Sequence, residues 1–569
     1  MIVGRRPKAT MIRRRLPTPI LSLARAALVT ALAAHAPSPA LCAEPASAAS
    51  APKPRLVVFI AVDQMREEYL ERFKPLFRAG LKRLVEEGAV FTNAMYRHAC
   101  TETGPGHSVL MSGRSPRSSG IVGNIWYDRT LRQRVNVVDD PAVRLIGSER
   151  GRAASPAYLN AFTVGDMLKA SSPASKVVGV SFKDRSAILP AGRKADGAYW
   201  YQTNDGRFVT SSWYTDRAPG WLERWNARRV ADGYAGRTWQ RLLQDPASYL
   251  RYAGEDEVQG EFDNKDIVFP HSIRGAPPAF EFYDSLRRTP FADEMLLEFA
   301  LAAMKGHDLG TDQATDILTV SFSATDVIGH TYGPDSQEQM DNLLHLDRTL
   351  GQLMEAAEAR AGRGSVLFAL SADHGSMPLV EVLRKRGIDA LRADSSELSR
   401  AVEEALAARF PGASGLIADP DPMEYVLDQG AIERQGLKRD EVEATIQKAL
   451  VGTGLVEAVY TRAQLLGPKP KDDPFFDRHQ RAFFATRSGD LVSRIRKYVY
   501  LGGYVGGTGH GSPHDYDRQV PVVFMGPGIR PGPRDVETGP EDIAWALGRL
   551  LGLDYPQQDS VSDLVPLLK

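Results

Sequence analysis

Only two cysteines occur in the 569 residues, Cys42 and Cys100. That count excludes a disulfide framework and a thiolate zinc site, so any metal must rest on histidines and carboxylates. The chain also lacks an excess of charge: 70 Lys+Arg face 70 Asp+Glu, giving a formal net charge of +0 and a pI near 7.2. With no electrostatic footprint for a nucleic-acid polymer or an anionic lipid surface, the expected partners are small molecules. After Pro54 no apolar run reaches the ~18 residues needed to cross a bilayer. What remains, 43% hydrophobic and 25% charged, is enough globular material for a large core.

The first fifty residues are of another kind. Arg13, Arg14 and Arg15 precede an apolar stretch from Ala26 to Ala34, followed by Ala/Ser/Pro-rich sequence with small residues at Ala46, Ser47 and Ala48. This is the order of a secretory signal peptide. Residues 1–50 are therefore expected to be a leader, starting at Met1 or Met11, on an exported, periplasmic or secreted protein. Pro39-Ala40-Leu41 before Cys42 is a poor lipid-attachment signal.

From residue 55 to 569 short apolar runs alternate with helical patterns. Leu56 to Val62, Val177 to Phe182, Ile317 to Phe322, Val366 to Leu370 and Val520 to Met525 read as buried strands, and Met295 to Lys305 and Leu343 to Ala357 as helices. The pattern predicts an α/β fold with a mostly parallel central sheet flanked by helices. Two insertions interrupt it. One, over about 192–291, holds five tryptophans from Trp200 to Trp239 and is expected to form an aromatic-rich cap, with a hairpin turn at Asn204-Asp205-Gly206. The other, over about 378–494, carries amphipathic helices and no strong chemical motif.

Open parallel sheets bind ligands at the carboxyl ends of their strands, so polar residues just past the apolar runs are the ones to collect. Asp63 follows the first run; Asp326 and His330 follow the third; Asp373 and His374 follow the fourth; and His510 lies in a glycine-rich stretch before the last. Singly, an Asp there is more often a helix cap. Together, three Asp and three His at successive strand ends suit two neighbouring divalent cations, zinc first among them.

A nucleophile is suggested by Thr103-Gly104-Pro105-Gly106-His107, which leads into a helical run. Thr103 is suited to the N-cap, with Gly104 permitting the turn and Pro105 harmless in the first turn. The free N–H groups of such a terminus, beginning at Gly104, attract a phosphoryl group. Cys100 and Thr101 are nearby rivals. Lys183 and Arg185 alternate just past a strand, offering a compact charge and a planar fork to phosphate.

These motifs, with Val62-Asp63-Gln64, Gly123-Asn124, Phe182-Lys183-Asp184-Arg185, Thr325-Asp326 and His510-Gly511-Ser512, resemble those of the alkaline phosphatase superfamily, and most closely its exported, phosphate-irrepressible alkaline phosphatase branch. The resemblance implies a hydrolase of small-molecule phosphate monoesters with two Zn2+ per chain. One zinc would rest on Asp326, His330 and His510, and the other on Asp63, Asp373 and His374 beside Thr103, the nucleophile that forms a phosphothreonine. Asn124, Lys183 and Arg185 would contact the phosphoryl oxygens, and His107 is expected to be structural. A nucleotide pyrophosphatase or phosphodiesterase shares the metal ligands and the threonine; a non-catalytic exported phosphate- or zinc-binding protein is the reading from another class. A sulfatase is disfavoured because Cys100 lacks the Pro and Arg of the formylglycine motif.

Overall fold

A computed structural model describes residues 53–569 except 263, 503–505 and 558. The expected leader, with Cys42, lies outside the described residues. Among the described residues no helix is long and apolar enough to cross a membrane.

The centre is a ten-stranded sheet. Its strands are β1 (Leu56–Val62), β2 (Ala89–Phe91), β3 (Leu145–Ile146), β4 (Val177–Ser181), β5 (Gly197–Gln202), β6 (Arg207–Ser211), β7 (Asp316–Phe322), β8 (Val366–Ser371), β9 (Val522–Met525) and β10 (Gly532–Arg534). They lie in the order β10-β2-β9-β8-β1-β7-β4-β5-β6-β3. The middle five, β8 to β5, are parallel throughout. β1, β7 and β8 are buried along their whole length, which is why they read as continuous apolar runs rather than alternating ones. β9 runs antiparallel to β8, a direction that an apolar run does not encode. Helices cover both faces, and two large apolar clusters form there, one containing Val58, Ile60 and Val62 and the other Val57, Phe59 and Ala61.

The two insertions behave differently. The stretch expected as a cap begins inside the sheet. β5 and β6 pair as the hairpin around Asn204-Asp205-Gly206, with Gly206 at φ +71. Farther on, Trp225 and Trp239 are buried in the same cluster as the sheet and the helix Phe291–Gly306, so they extend the main core. Residues 378–494 instead carry a separate four-stranded sheet (417–419, 424–427, 491–495, 456–461) and an apolar cluster of their own.

Candidate active site

Five parallel strands end on one edge of the sheet, and the collected residues meet there. Asp63 takes its backbone hydrogen bond from β7, donating its N–H to Phe322 O at 2.9 Å. Asp326 and His330 lie one helical turn apart on α3, reached after α1 (Thr103–Ser112) and α2 (Asp184–Ala191); α3 spans Ala324–Tyr332. Asp373 and His374 follow β8 after Ala372, and His510 arrives from the loop before β9.

The six donors form two groups, Asp326 with His330 and His510, and Asp63 with Asp373 and His374. His330 Nε2 is 3.2 Å and His510 Nε2 3.7 Å from Asp326 Oδ1; His374 Nε2 is 3.6 Å from Asp63 Oδ1 and 3.3 Å from Asp373 Oδ2. Tetrahedral zinc with bonds of ~2.0–2.1 Å separates its ligand atoms by about 3.3 Å, so the spacing fits. The tautomers fit as well. Each imidazole donates its Nδ1–H to a backbone carbonyl: His330 to Thr508 at 2.7 Å, His374 to Gly375 at 2.9 Å and His510 to Thr101 at 2.8 Å. That leaves every Nε2 lone pair facing its group, the arrangement that orients histidine for a metal.

Asp63 Oδ1 and His374 Nε2 are buried without a hydrogen-bond partner, although groups so placed normally have one, while Asp63 Oδ2 meets the Lys183 ammonium at 2.7 Å and Asp373 Oδ2 lies 3.1 Å from His107 Nδ1. Burial, with Asp326 and Asp373 nearby, pushes the Asp63 carboxyl well up. Burial opposes the charge of Asp326 too, but Lys183, His330 and His510 hold its pKa well below the usual range. Burial, then His374 and His330, lowers His510 well below the usual histidine range and keeps its ring neutral. Two divalent cations match these residues: they would complete the orphaned ligand atoms and offset three buried carboxylates.

Thr103 is the first residue of α1 rather than its cap. Extended Glu102 takes the cap position, and no side chain caps the helix. The Thr103 hydroxyl is therefore not spent on the helix, and Thr103 lines a cleft of about 480 Å3 with Asn124, Lys183, Arg185, Asp326 and His510. The Gly104 N–H expected to meet substrate donates instead to Asn124 Oδ1 at 2.7 Å. Asn124 is thereby fixed with its NH2 as the free donor, while its own N–H donates to Glu102 at 2.8 Å. Gly106 is required by a close approach: a Cβ there would lie 2.2 Å from Asp373 O. Lys183 and Arg185 reach the cleft from the start of α2, Lys183 as its N-cap, so helix geometry rather than strand alternation brings them together.

Lys183 Nζ stands 2.7 Å from Asp63 and 2.5 Å from Asp326. Burial works against its charge, yet Asp326 and Asp63 raise its pKa. Arg185 makes only a 3.6 Å contact with Asp184 among the ion pairs of the described residues, and its Nε is unpartnered. His107 is buried and structural in its contacts. It donates Nδ1–H to Thr103 O at 2.9 Å, lies 3.1 Å from Asp373 and accepts at Nε2 from Ser321 Oγ at 2.7 Å. Gln64 carries no assignment from its motif, yet it serves both metal groups. At φ +67, it donates its backbone N–H to Asp373 at 3.0 Å and its Nε2–H to Asp326 at 2.9 Å.

The sequence model described as type I phosphodiesterase / nucleotide pyrophosphatase matches residues 57–515. The chain belongs to this family. It is thus an enzyme of the alkaline phosphatase superfamily. Alkaline phosphatase PafA of Elizabethkingia meningoseptica is 32% identical over 514 residues, covering 89% of this chain and 93% of that protein. Alkaline phosphatase PhoV of Synechococcus elongatus is 32% identical over 529 residues, covering 91% and 93%. The crystal structure of wild-type alkaline phosphatase PafA matches with a TM-score of 0.84 at 30% identity, over 91% of this chain and 99% of that one. Murine ectonucleotide pyrophosphatase / phosphodiesterase 5, 14% identical with a TM-score of 0.51, shares the fold.

Proposed function

We propose that this chain is an exported, zinc-dependent alkaline phosphatase that hydrolyses small phosphate monoesters through a phosphothreonine at Thr103. The observation that carries the reading is the unspent Thr103 hydroxyl at a helix start, in one cleft with Asn124, Lys183 and Arg185 and beside two groups of preoriented metal donors. Asp326, His330 and His510 would hold one zinc, and Asp63, Asp373, His374 and Thr103 the other. When bound, two zinc ions supply a lowered hydroxyl pKa and neutralisation of charge on the attacking and leaving oxygens.

The chain's own residues do the rest. Asn124 NH2, the Lys183 ammonium and the Arg185 guanidinium orient the phosphoryl oxygens and stabilise their charge, the main source of acceleration in phosphoryl transfer. Thr103 Oγ forms a bond to phosphorus as the bond to the leaving oxygen breaks in line. Water oxygen then bonds to phosphorus while the Thr103 ester breaks, giving inorganic phosphate and the free hydroxyl. His107 and Gln64 hold Asp373 and Asp326 in place. Phosphodiesterase chemistry is the competing reading, supported by the family description; two cations beside Asn124 favour a monoester dianion over a diester.

The test is hydrolysis of aryl phosphomonoester and phosphodiester side by side, before and after chelation and zinc return. Monoester turnover lost on chelation and restored by zinc is expected. Faster diester turnover would move the assignment to a phosphodiesterase, and phosphate or zinc binding without turnover would move it to a binding protein.

A further inference from the structure

The cleft holds a second pair of cations apart from those assigned to the phosphoryl group. Arg287 and Arg288 line it together with Trp200, Tyr201, Gln202 and Thr203. Both arginines come from the end of the helix Phe280–Leu286, where Arg287 takes the cap position and Arg288 N–H donates to Ser285 O at 3.0 Å. They share a single carboxylate: Arg287 Nη2 lies 2.7 Å from Asp284 Oδ1 and Arg288 Nη2 3.0 Å from Asp284 Oδ2. Two guanidinium charges therefore face one carboxylate. Arg287 Nε, in addition, is buried without a hydrogen-bond partner.

Basic residues at a helix C-terminus suit its dipole, which accounts for a cation at this end. It does not account for two of them bordering a substrate cleft with donor capacity to spare. A volume of about 480 Å3 exceeds what a phosphoryl group fills, and the remainder must take the leaving group. Guanidinium forks match carboxylate and phosphate oxygens in pairs.

We propose that Arg287 and Arg288 form a leaving-group subsite for a second anionic oxyacid group, so that the enzyme prefers phosphate esters whose departing half carries its own carboxylate or phosphate. The proposal rests on the phosphatase reading above. It names a property that the metal groups, Thr103 and the phosphoryl contacts do not set.

The test compares kcat/KM for phenyl phosphate, 4-carboxyphenyl phosphate and inorganic pyrophosphate, using metal-loaded enzyme and its Arg287→Gln/Arg288→Gln variant. The double variant should lose roughly tenfold more on the two anionic substrates than on phenyl phosphate, the size of a charge-assisted contact at a partly exposed site. Asp284→Asn provides a variant of opposite sign. Without the competing carboxylate, the preference for the anionic substrates should rise and its loss in added salt should steepen. Equal losses on all three substrates, or a preference that falls in Asp284→Asn, would overturn the subsite. Calorimetric binding of 4-carboxyphenylphosphonate against phenylphosphonate reads the subsite without turnover. An enzyme that binds the carboxylated compound more tightly but hydrolyses no phenyl phosphate would overturn the phosphatase reading and leave the subsite standing; equal binding would overturn the subsite.

Discussion

The Lys183 ammonium lies 2.5 Å from the Asp326 carboxylate, a ligand candidate of one metal group, and 2.7 Å from Asp63, a candidate of the other. A side chain so placed can serve either the metal groups or the phosphoryl oxygens, and the two roles separate by measurement. Lys183→Met should retain about two zinc ions per chain by elemental analysis, because all six donors remain. Its kcat/KM for an aryl phosphomonoester should fall by about 10²–10³, the loss for one preorganised donor to a transition-state oxygen. Zinc loss in parallel with activity would show that Lys183 acts through the metals.

Thr103 is expected to carry phosphate during turnover. Thr103→Ala should abolish burst and steady-state hydrolysis, whereas Thr103→Ser keeps a hydroxyl at the same helix start and should retain part of the activity. Acid quenching during turnover followed by peptide mass analysis should place the phosphate on Thr103. Phosphate on Thr101 or Ser108 would reassign the nucleophile.

How far the sequence goes is visible in these residues. Asp63, Asp373 and His374 are brought together because they follow short, β-branched or Leu-rich apolar runs that form buried strands, and buried parallel strands end at one edge. Thr103 lines the cleft but does not take the N-cap position its sequence suggests, since N-cap preference does not distinguish Glu102 in extended conformation from the threonine after it. The antiparallel pairing of β9 and the sheet membership of β5 and β6 depend on contacts between segments far apart in the chain, or on a turn adjoining a sheet already built; neither leaves a periodic trace. The Gln64 bridge is invisible for the same reason. Its partners lie 309 and 262 residues away.

Gln64 supplies the third test. Its side-chain amide donates to Asp326 and its backbone to Asp373, so it orients carboxylates from both metal groups. Gln64→Gly removes the first contact while tolerating φ +67, which glycine adopts without strain. The variant should fold and melt near the wild type but bind zinc or turn over substrate roughly 10–100-fold less well, the usual cost of losing an outer-shell partner. A large drop in melting temperature with unchanged zinc affinity would assign Gln64 to the fold alone.

Stability should depend on pH through a carboxylate far from the cleft in sequence and function. Asp542 is buried, and burial alone would raise its pKa, but hydrogen bonds and charge from Arg97, with Thr538 and the Val561 N–H, hold it below the usual range. Arg97 Nη2 is 2.8 Å away, Thr538 Oγ1 donates at 2.7 Å and Ser560 Oγ at 2.8 Å. Because the folded state binds this proton more weakly than the unfolded state, the contribution to stability is complete above the unfolded value near ~3.9 and is lost as pH falls through the lower folded value. Asp542→Asn keeps the shape but leaves the largely buried Arg97 charge without this partner, a change that costs roughly 3–5 kcal/mol where a buried pair is broken. Thermal melts at pH 7 and pH 3 read both effects. The variant should melt lower than the wild type at pH 7 and lose less on going to pH 3, since its site no longer titrates. Parallel pH profiles with equal melting temperatures would remove Asp542 from the account of acid stability.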